Sequence, residues 1–132
     1  AMLGNMDAES GMSPGSWEET NNKDKGYGLV HWTPASKYLN TLSTGQSKTD
    51  IDLQLKRILA EVDGTYSQWA INNHSPALSF KNFTQSVKTV KSLAEYFLRC
   101  YEQPTRVTEN SVSERSRNAQ KWYDVLSALG DI

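Results

Sequence analysis

From residue 50 onward, the apolar residues of this chain recur at helical spacing. Ile51, Leu55, Ile58, Leu59 and Val62 fall on one stripe, which predicts an amphipathic helix over about Asp50 to Val62, buried along that stripe and ended by Gly64. A second stripe, Val90, Leu93, Ala94, Phe97, Leu98 and Tyr101, predicts a helix over about Thr89 to Glu102, stopped before Pro104. A third, Ala119, Trp122, Leu126 and Leu129, predicts a helix over about Ser113 to Leu129, with Ser111-x-x-Glu114 as a capping box and Gly130 as the terminator. Phe80 and Phe83 mark a shorter helical piece, and Tyr66 to Ile71 a short helix or turn. The fold class that follows is mainly α, within an α+β frame. It is a helical domain with a short strand or loop region lining a cleft.

Before residue 50 the pattern changes. Ala1 to Glu9 reads as the last turns of a helix, with Met2, Leu3 and Met6 on one face. Ser10 to Lys25 is turn chemistry, with Gly11, Ser13-Pro14-Gly15 and Asn21-Asn22-Lys23-Asp24-Lys25-Gly26, and suits a loop or small hairpin beside a cleft. Tyr27 to Trp32 is short, aromatic and β-branched, and reads as a strand or an extended wall. Thr33 then reads as an N-cap and Pro34 as the first residue of a helix through Tyr38 and Leu39. Thr41 to Lys48 is a polar loop.

The length of 132 residues fits one domain, expected over 1–132. The net charge of −1 gives no electrostatic footprint for nucleic acid. No apolar run approaches the roughly 20 residues that span a bilayer, so no membrane insertion is expected. Cys100 is the single cysteine, which excludes an internal disulfide and suits a packed helix position. Two histidines and one cysteine, widely separated, give no metal-ligand spacing, and no metal or organic cofactor is implied. Met2-Leu3 runs straight into Gly4-Asn5-Met6-Asp7, without the pattern of a secretory leader, which leaves export undecided.

The residue with most chemical promise is Glu9. It ends the first helical run, precedes the turn-rich loop, and is followed by the glycine-spaced aromatic segment Tyr27-Gly28-Leu29-Val30-His31-Trp32. A single carboxyl group so placed suits glycan cleavage, which needs a protonated acid beside the leaving oxygen. An apolar, aromatic pocket favours the protonated form of a carboxyl group, and Met6, Met12, Tyr27 and Trp32 are the neighbours that would build one. The plain alternative is a solvated charge at a helix end. A second carboxylate is not marked. Asp7 points away on a helix, while Glu18, Glu19 and Asp24 sit in the loop and Glu102 follows Tyr101.

Gly4-Asn5-Met6-x-x-Glu9-Ser10-x-x-x-Pro14-Gly15, followed by Gly26-Tyr27-Gly28-Leu29-Val30-x-Trp32-Thr33-Pro34, resembles the tail-associated lysozyme domains of phages that infect Gram-positive bacteria. The resemblance extends through Leu55-Lys56-Arg57-Ile58-Leu59-x-Glu61-Val62, Phe97-Leu98-x-x-Tyr101-Glu102-x-Pro104 and the closing helix up to Trp122-Tyr123. It is similar, more distantly, to goose-type lysozymes and lytic transglycosylases. The family's first helix is only partly present, which implies a longer parent chain.

The resemblance implies a peptidoglycan glycosidase with Glu9 as the acid and Ser10 supporting the acid or its backbone. Tyr27, Gly28, Leu29, His31 and Trp32 would line the substrate cleft, and Tyr101 and Glu102 would contact substrate or hydrogen-bond within the site. Trp32 is left between stacking on a sugar and packing. The family usually has Gln where His31 stands. A neutral His can also donate and accept, in another geometry. The implied partner is the glycan strand of peptidoglycan, at the bacterial cell wall outside the cell or from a virion tail, and such domains are commonly joined to a peptidase. Three readings stay open beside muramidase action. They are lytic transglycosylation to a 1,6-anhydro product, a non-catalytic glycan-binding module (which the His31 departure motivates), and a chitinase-like enzyme.

Overall fold

The computed structural model describes residues 1–130, so Asp131 and Ile132 of the expected 1–132 domain lie outside the described residues. About half of the chain is helical. The elements are α1 (Met2–Ser10), α2 (Ser36–Leu39), α3 (Ile51–Val62), α4 (Phe80–Thr84), α5 (Val90–Phe97) and α6 (Glu109–Ala128), with a 3-10 turn at Ile71–Asn73 and a π-helical turn at Leu98–Glu102. The chain divides into two compact units. One combines Ala1–Ala8 with everything from Ser67 on, and the other is Glu9–Tyr66.

The first unit is built on aromatic packing. α5 and α6 lie against each other, and Phe97, Tyr101, Phe80, Phe83 and Trp69 form a ring cluster, with Phe97 stacked on Tyr101 at 4.4 Å and Trp69 on Phe80 at 4.7 Å. The early part of α1 joins through a close approach: a Cβ on Gly4 would sit 2.4 Å from the Ala119 amide nitrogen, so only glycine lets the two helices meet there. Asn5 donates to the Ala94 carbonyl at 3.2 Å, and Trp122 donates its indole N–H to Asp7 at 3.3 Å. Cys100 is fully buried, and burial pushes its thiol up to about 11, which leaves it an inert packing residue.

Two elements of this unit depart from the periodic reading, each for a local reason. α5 stops at Phe97 and the backbone widens into the π turn, which Gln103 closes in the left-handed region (φ 50°). The carbonyls of Arg99, Cys100 and Tyr101 then accept from Asn73 Nδ2, from Ala70 N and Gln103 Nε2, and from Gln68 Nε2. α6 starts at Glu109, four residues earlier than expected. Its capping box is Thr108 with Ser111, each side chain accepting from the other's backbone N–H at 3.0 Å, and not Ser111 with Glu114. Ala119 is the buried member of its stripe, whereas Leu129 is 71% exposed.

The second unit is organised differently. Asp50 caps α3 by accepting from the Asp52 and Leu53 amides. The expected stripe of α3 is overturned. Ile51, Leu55 and Leu59 are exposed, Val62 is half-buried, and only Ile58 is in the core. The buried face is Gln54, Arg57, Ile58 and Glu61, itself at helical spacing. The reason lies in what α3 faces within this unit. Its partners are backbone groups of the turn-rich loops and the indole N–H of Trp32, so polar side chains are what satisfies them. Thr33 and Pro34 do not open α2 either. The Thr33 hydroxyl donates to the His31 carbonyl at 2.8 Å, and α2 starts only at Ser36, without a side-chain cap.

Candidate functional site

α1 delivers Glu9 and Ser10 at its C-terminal end, where Gly11 (φ 60°) and Met12 (φ 66°) turn the chain out of the helix. The segment from Tyr27 to Trp32, expected as a strand or wall, is instead a tight loop closed on itself. Tyr27 and Trp32 exchange backbone hydrogen bonds at 3.1 and 2.9 Å, and His31 N donates to Gly28 O. Its outer side is pinned by Gly28 N donating to Ser16 O at 2.9 Å and Glu18 N to Gly26 O at 2.9 Å. Gly28 has φ 91°, and a Cβ there would meet Gln54 Oε1 and the Trp32 ring at 3.0 Å, so the loop requires glycine at that position.

Leu29, at the tip of the loop, is held at both backbone atoms. Its N–H donates to Gln54 Oε1 at 2.9 Å, and its carbonyl accepts from Ser10 Oγ at 2.8 Å. Gln54 also donates to Pro14 O at 2.7 Å and Lys48 O at 3.0 Å. Below this layer, Glu61 Oε2 accepts from Trp32 Nε1 at 3.2 Å and from Arg57 Nε at 3.3 Å. Arg57 in turn donates to Lys37 O and lies 3.9 Å from the centre of the Tyr66 ring. The buried charges of Arg57 and Glu61 are thus paired and hydrogen-bonded, the condition for keeping ions inside a fold.

The loop places His31 against the acid. His31 Nδ1 lies 3.6 Å from Glu9 Oε2, and His31 Nε2 lies 2.9 Å from Ser16 Oγ. The two side chains keep 14% and 21% of their surfaces in solvent, so the pair is sheltered but open to a ligand. Burial lowers the pKa of His31 below the ordinary histidine value, against the opposing pull of Glu9 and Glu18. His31 is therefore neutral near pH 7 and can donate from one ring nitrogen while accepting at the other. Its backbone sits in the left-handed region (φ 48°), a conformation that costs of order 1 kcal/mol for a non-glycine residue and that gathers at functional sites.

Of the residues singled out from sequence, Glu9, Ser10, Tyr27, Gly28, Leu29, His31 and Trp32 all lie in the second unit, while Tyr101 and Glu102 lie in the first. Tyr27, Leu29 and Trp32 are fully buried, and the Trp32 ring stacks on Tyr38 at 4.5 Å. Tyr101 is likewise buried, in the aromatic cluster of its own unit. Sequence reasoning missed Ser16 and Gln54. A polar residue at a helical spacing from Arg57 and Glu61 was the signal available for Gln54, whereas Ser16 is one serine among several in a turn-rich stretch. Glu18, the other acid acting on His31, accepts from Gly26 N at 2.8 Å.

Residues 1–126 match the phage tail lysozyme family. The chain is also 44% identical over 132 residues to Morphogenesis protein 1 of Bacillus phage B103, an alignment that takes in 98% of this chain and 34% of that relative. The chain thus spans about a third of the length of that relative.

Proposed function

Because this chain belongs to the phage tail lysozyme family, and so to a group of lysozyme-type, cell-wall lytic proteins, we propose that it is a muramidase. It cleaves the β-1,4 bond between N-acetylmuramic acid and N-acetylglucosamine in peptidoglycan, with Glu9 as the general acid. The observation that supports this most is the Glu9–His31 pair, a sheltered carboxyl group fixed at a helix end against a strained loop. In the first step the Glu9 carboxyl gives its proton to the glycosidic oxygen as the C1–O bond breaks. The resulting carboxylate then takes a proton from the water that attacks C1, which returns the acid to its starting form. Partners and location follow from this reading: glycan strands of the wall, reached from outside the cell or from a virion tail, with a peptidase domain joined in the parent chain.

A second reading uses the same acid. Glu18 accepts from the Gly26 amide at 2.8 Å, and in this reading, as in the first, Glu9 serves as both acid and base. The C6 hydroxyl of the same muramic acid can then replace water and give an anhydro end. Mass spectrometry of muropeptides released from Gram-positive walls separates the outcomes. Reducing ends, lost in Glu9→Gln, are expected. Anhydro ends lost in the variant would change the reaction and keep Glu9, and undiminished turnover by a folded Glu9→Gln would remove Glu9 from the role. Wall binding by folded wild type with no bond cleaved would leave a binding module.

A further inference from the structure

Ser16 has no assigned role, yet the fold takes trouble to place it. Its carbonyl accepts from Gly28 N at 2.9 Å and its amide donates to Ser13 O at 3.3 Å, which fixes its backbone beside the loop that carries His31. Its hydroxyl then meets His31 Nε2 at 2.9 Å, while the opposite ring nitrogen faces Glu9 Oε2 at 3.6 Å. Three side chains from three separate stretches, the end of α1, the 13–16 turn and the 28–31 loop, stand in a row.

We propose that Ser16 and His31 are positioning residues for Glu9, with the Ser16 hydroxyl donating to His31 Nε2 so that the proton of the neutral ring stays on Nδ1, facing Glu9 Oε2. The inference rests on the reading of Glu9 as the acid. A serine hydroxyl can donate or accept, so the ring tautomer is set by what the other nitrogen meets. A carboxylate oxygen accepts only, which selects Nδ1–H and leaves Nε2 to accept from Ser16. The same tautomer suits both halves of the catalytic cycle. With Glu9 ionised, Oε2 accepts from Nδ1–H. With Glu9 protonated on Oε1, Oε2 still accepts, and the proton rides on the oxygen away from the histidine. No proton has to leave the ring between the two steps. The 3.6 Å separation is long for a hydrogen bond, as is common before substrate closes a site. The acids acting on the ring are Glu9 and Glu18, and burial outweighs both, which keeps the ring neutral. Glutamine, which can donate from its amide without any tautomer to control, would hold Oε2 without help from a serine.

Long-range 1H–15N spectra of the His31 ring test this, recorded at neutral to mildly alkaline pH on wild type, Ser16→Ala and Glu9→Ala, beside wall-digestion kinetics. The expected result is an Nδ1–H ring in wild type, a shift toward Nε2–H in Glu9→Ala, where the selecting carboxylate is gone, and a smaller shift the same way in Ser16→Ala, where Nε2 loses its donor. Ser16→Ala should lower kcat roughly 10-fold with KM little changed, as a small misplacement of a reacting group does. Ser16→Thr, which keeps the hydroxyl, should restore both the tautomer and the rate. An Nε2–H ring in wild type, or a tautomer indifferent to both substitutions, overturns the inference while an inactive Glu9→Gln leaves the acid in place. Full turnover by Glu9→Gln overturns the acid, and the positioning role with it.

Discussion

Each of the two units, taken by itself, buries its main helix in a different way. In the unit containing α5 and α6, side chains meet side chains, and the core is a cluster of aromatic rings around Phe97. In the Glu9–Tyr66 unit, the long helix α3 meets loops, and its buried face is Gln54, Arg57 and Glu61 around a single isoleucine. The contrast teaches where a site can be built. A polar helix face can hold tight loops in defined conformations, and Glu9, His31 and Ser16 stand on or beside such loops.

The largest effect on stability is expected from Phe97→Ala, which opens the aromatic core and should cost about 3–5 kcal/mol by chemical denaturation. Glu61→Leu should cost about 3 kcal/mol, despite its added apolar surface, because it strands the buried Arg57 charge and the Trp32 N–H. If Glu61→Leu proves neutral, the second unit is held by apolar burial like the first and the comparison fails. A smaller, pH-linked term belongs to His31. Its folded-state pKa lies below the ordinary value of 6.5, so its contribution is fully present above about pH 6.5 and is lost as pH falls through the folded value. Stability-versus-pH curves of wild type and His31→Gln should diverge in that window, with wild type falling more steeply. Identical curves would mean that His31 is not held neutral by burial. The smallest effect is expected from Leu59→Ser, within about 0.5 kcal/mol, since Leu59 is 66% exposed. A buried leucine stripe on α3 would instead lose about 2–5 kcal/mol on truncation.

That pair of numbers also marks what could be read from the sequence. Helical periodicity located α3, α5 and α6, and it named the inward residues of α5 because those meet other apolar side chains. The same periodicity chose the wrong face of α3, because it assumes an apolar partner and Gln54, Arg57 and Glu61 answer to backbone carbonyls, a backbone amide and an indole N–H. The start of α6 shifted because Thr108 and Ser111 cap each other, a pairing as legible as Ser111-x-x-Glu114 but one turn earlier. Around the site, the order of Glu9, Ser10 and the Gly28–Trp32 segment carried the family resemblance. Ser16 could not be read, since its placement depends on the 28–31 loop folding back on itself.

The most direct test of the central claim is turnover of purified Gram-positive cell walls by Glu9→Gln, with folding checked in parallel by circular dichroism and Trp fluorescence. The account predicts a folded protein that still binds walls and releases glycan at least roughly 100-fold more slowly than wild type, the lower range for losing a general acid. A folded Glu9→Gln that releases muropeptides at the wild-type rate would contradict it.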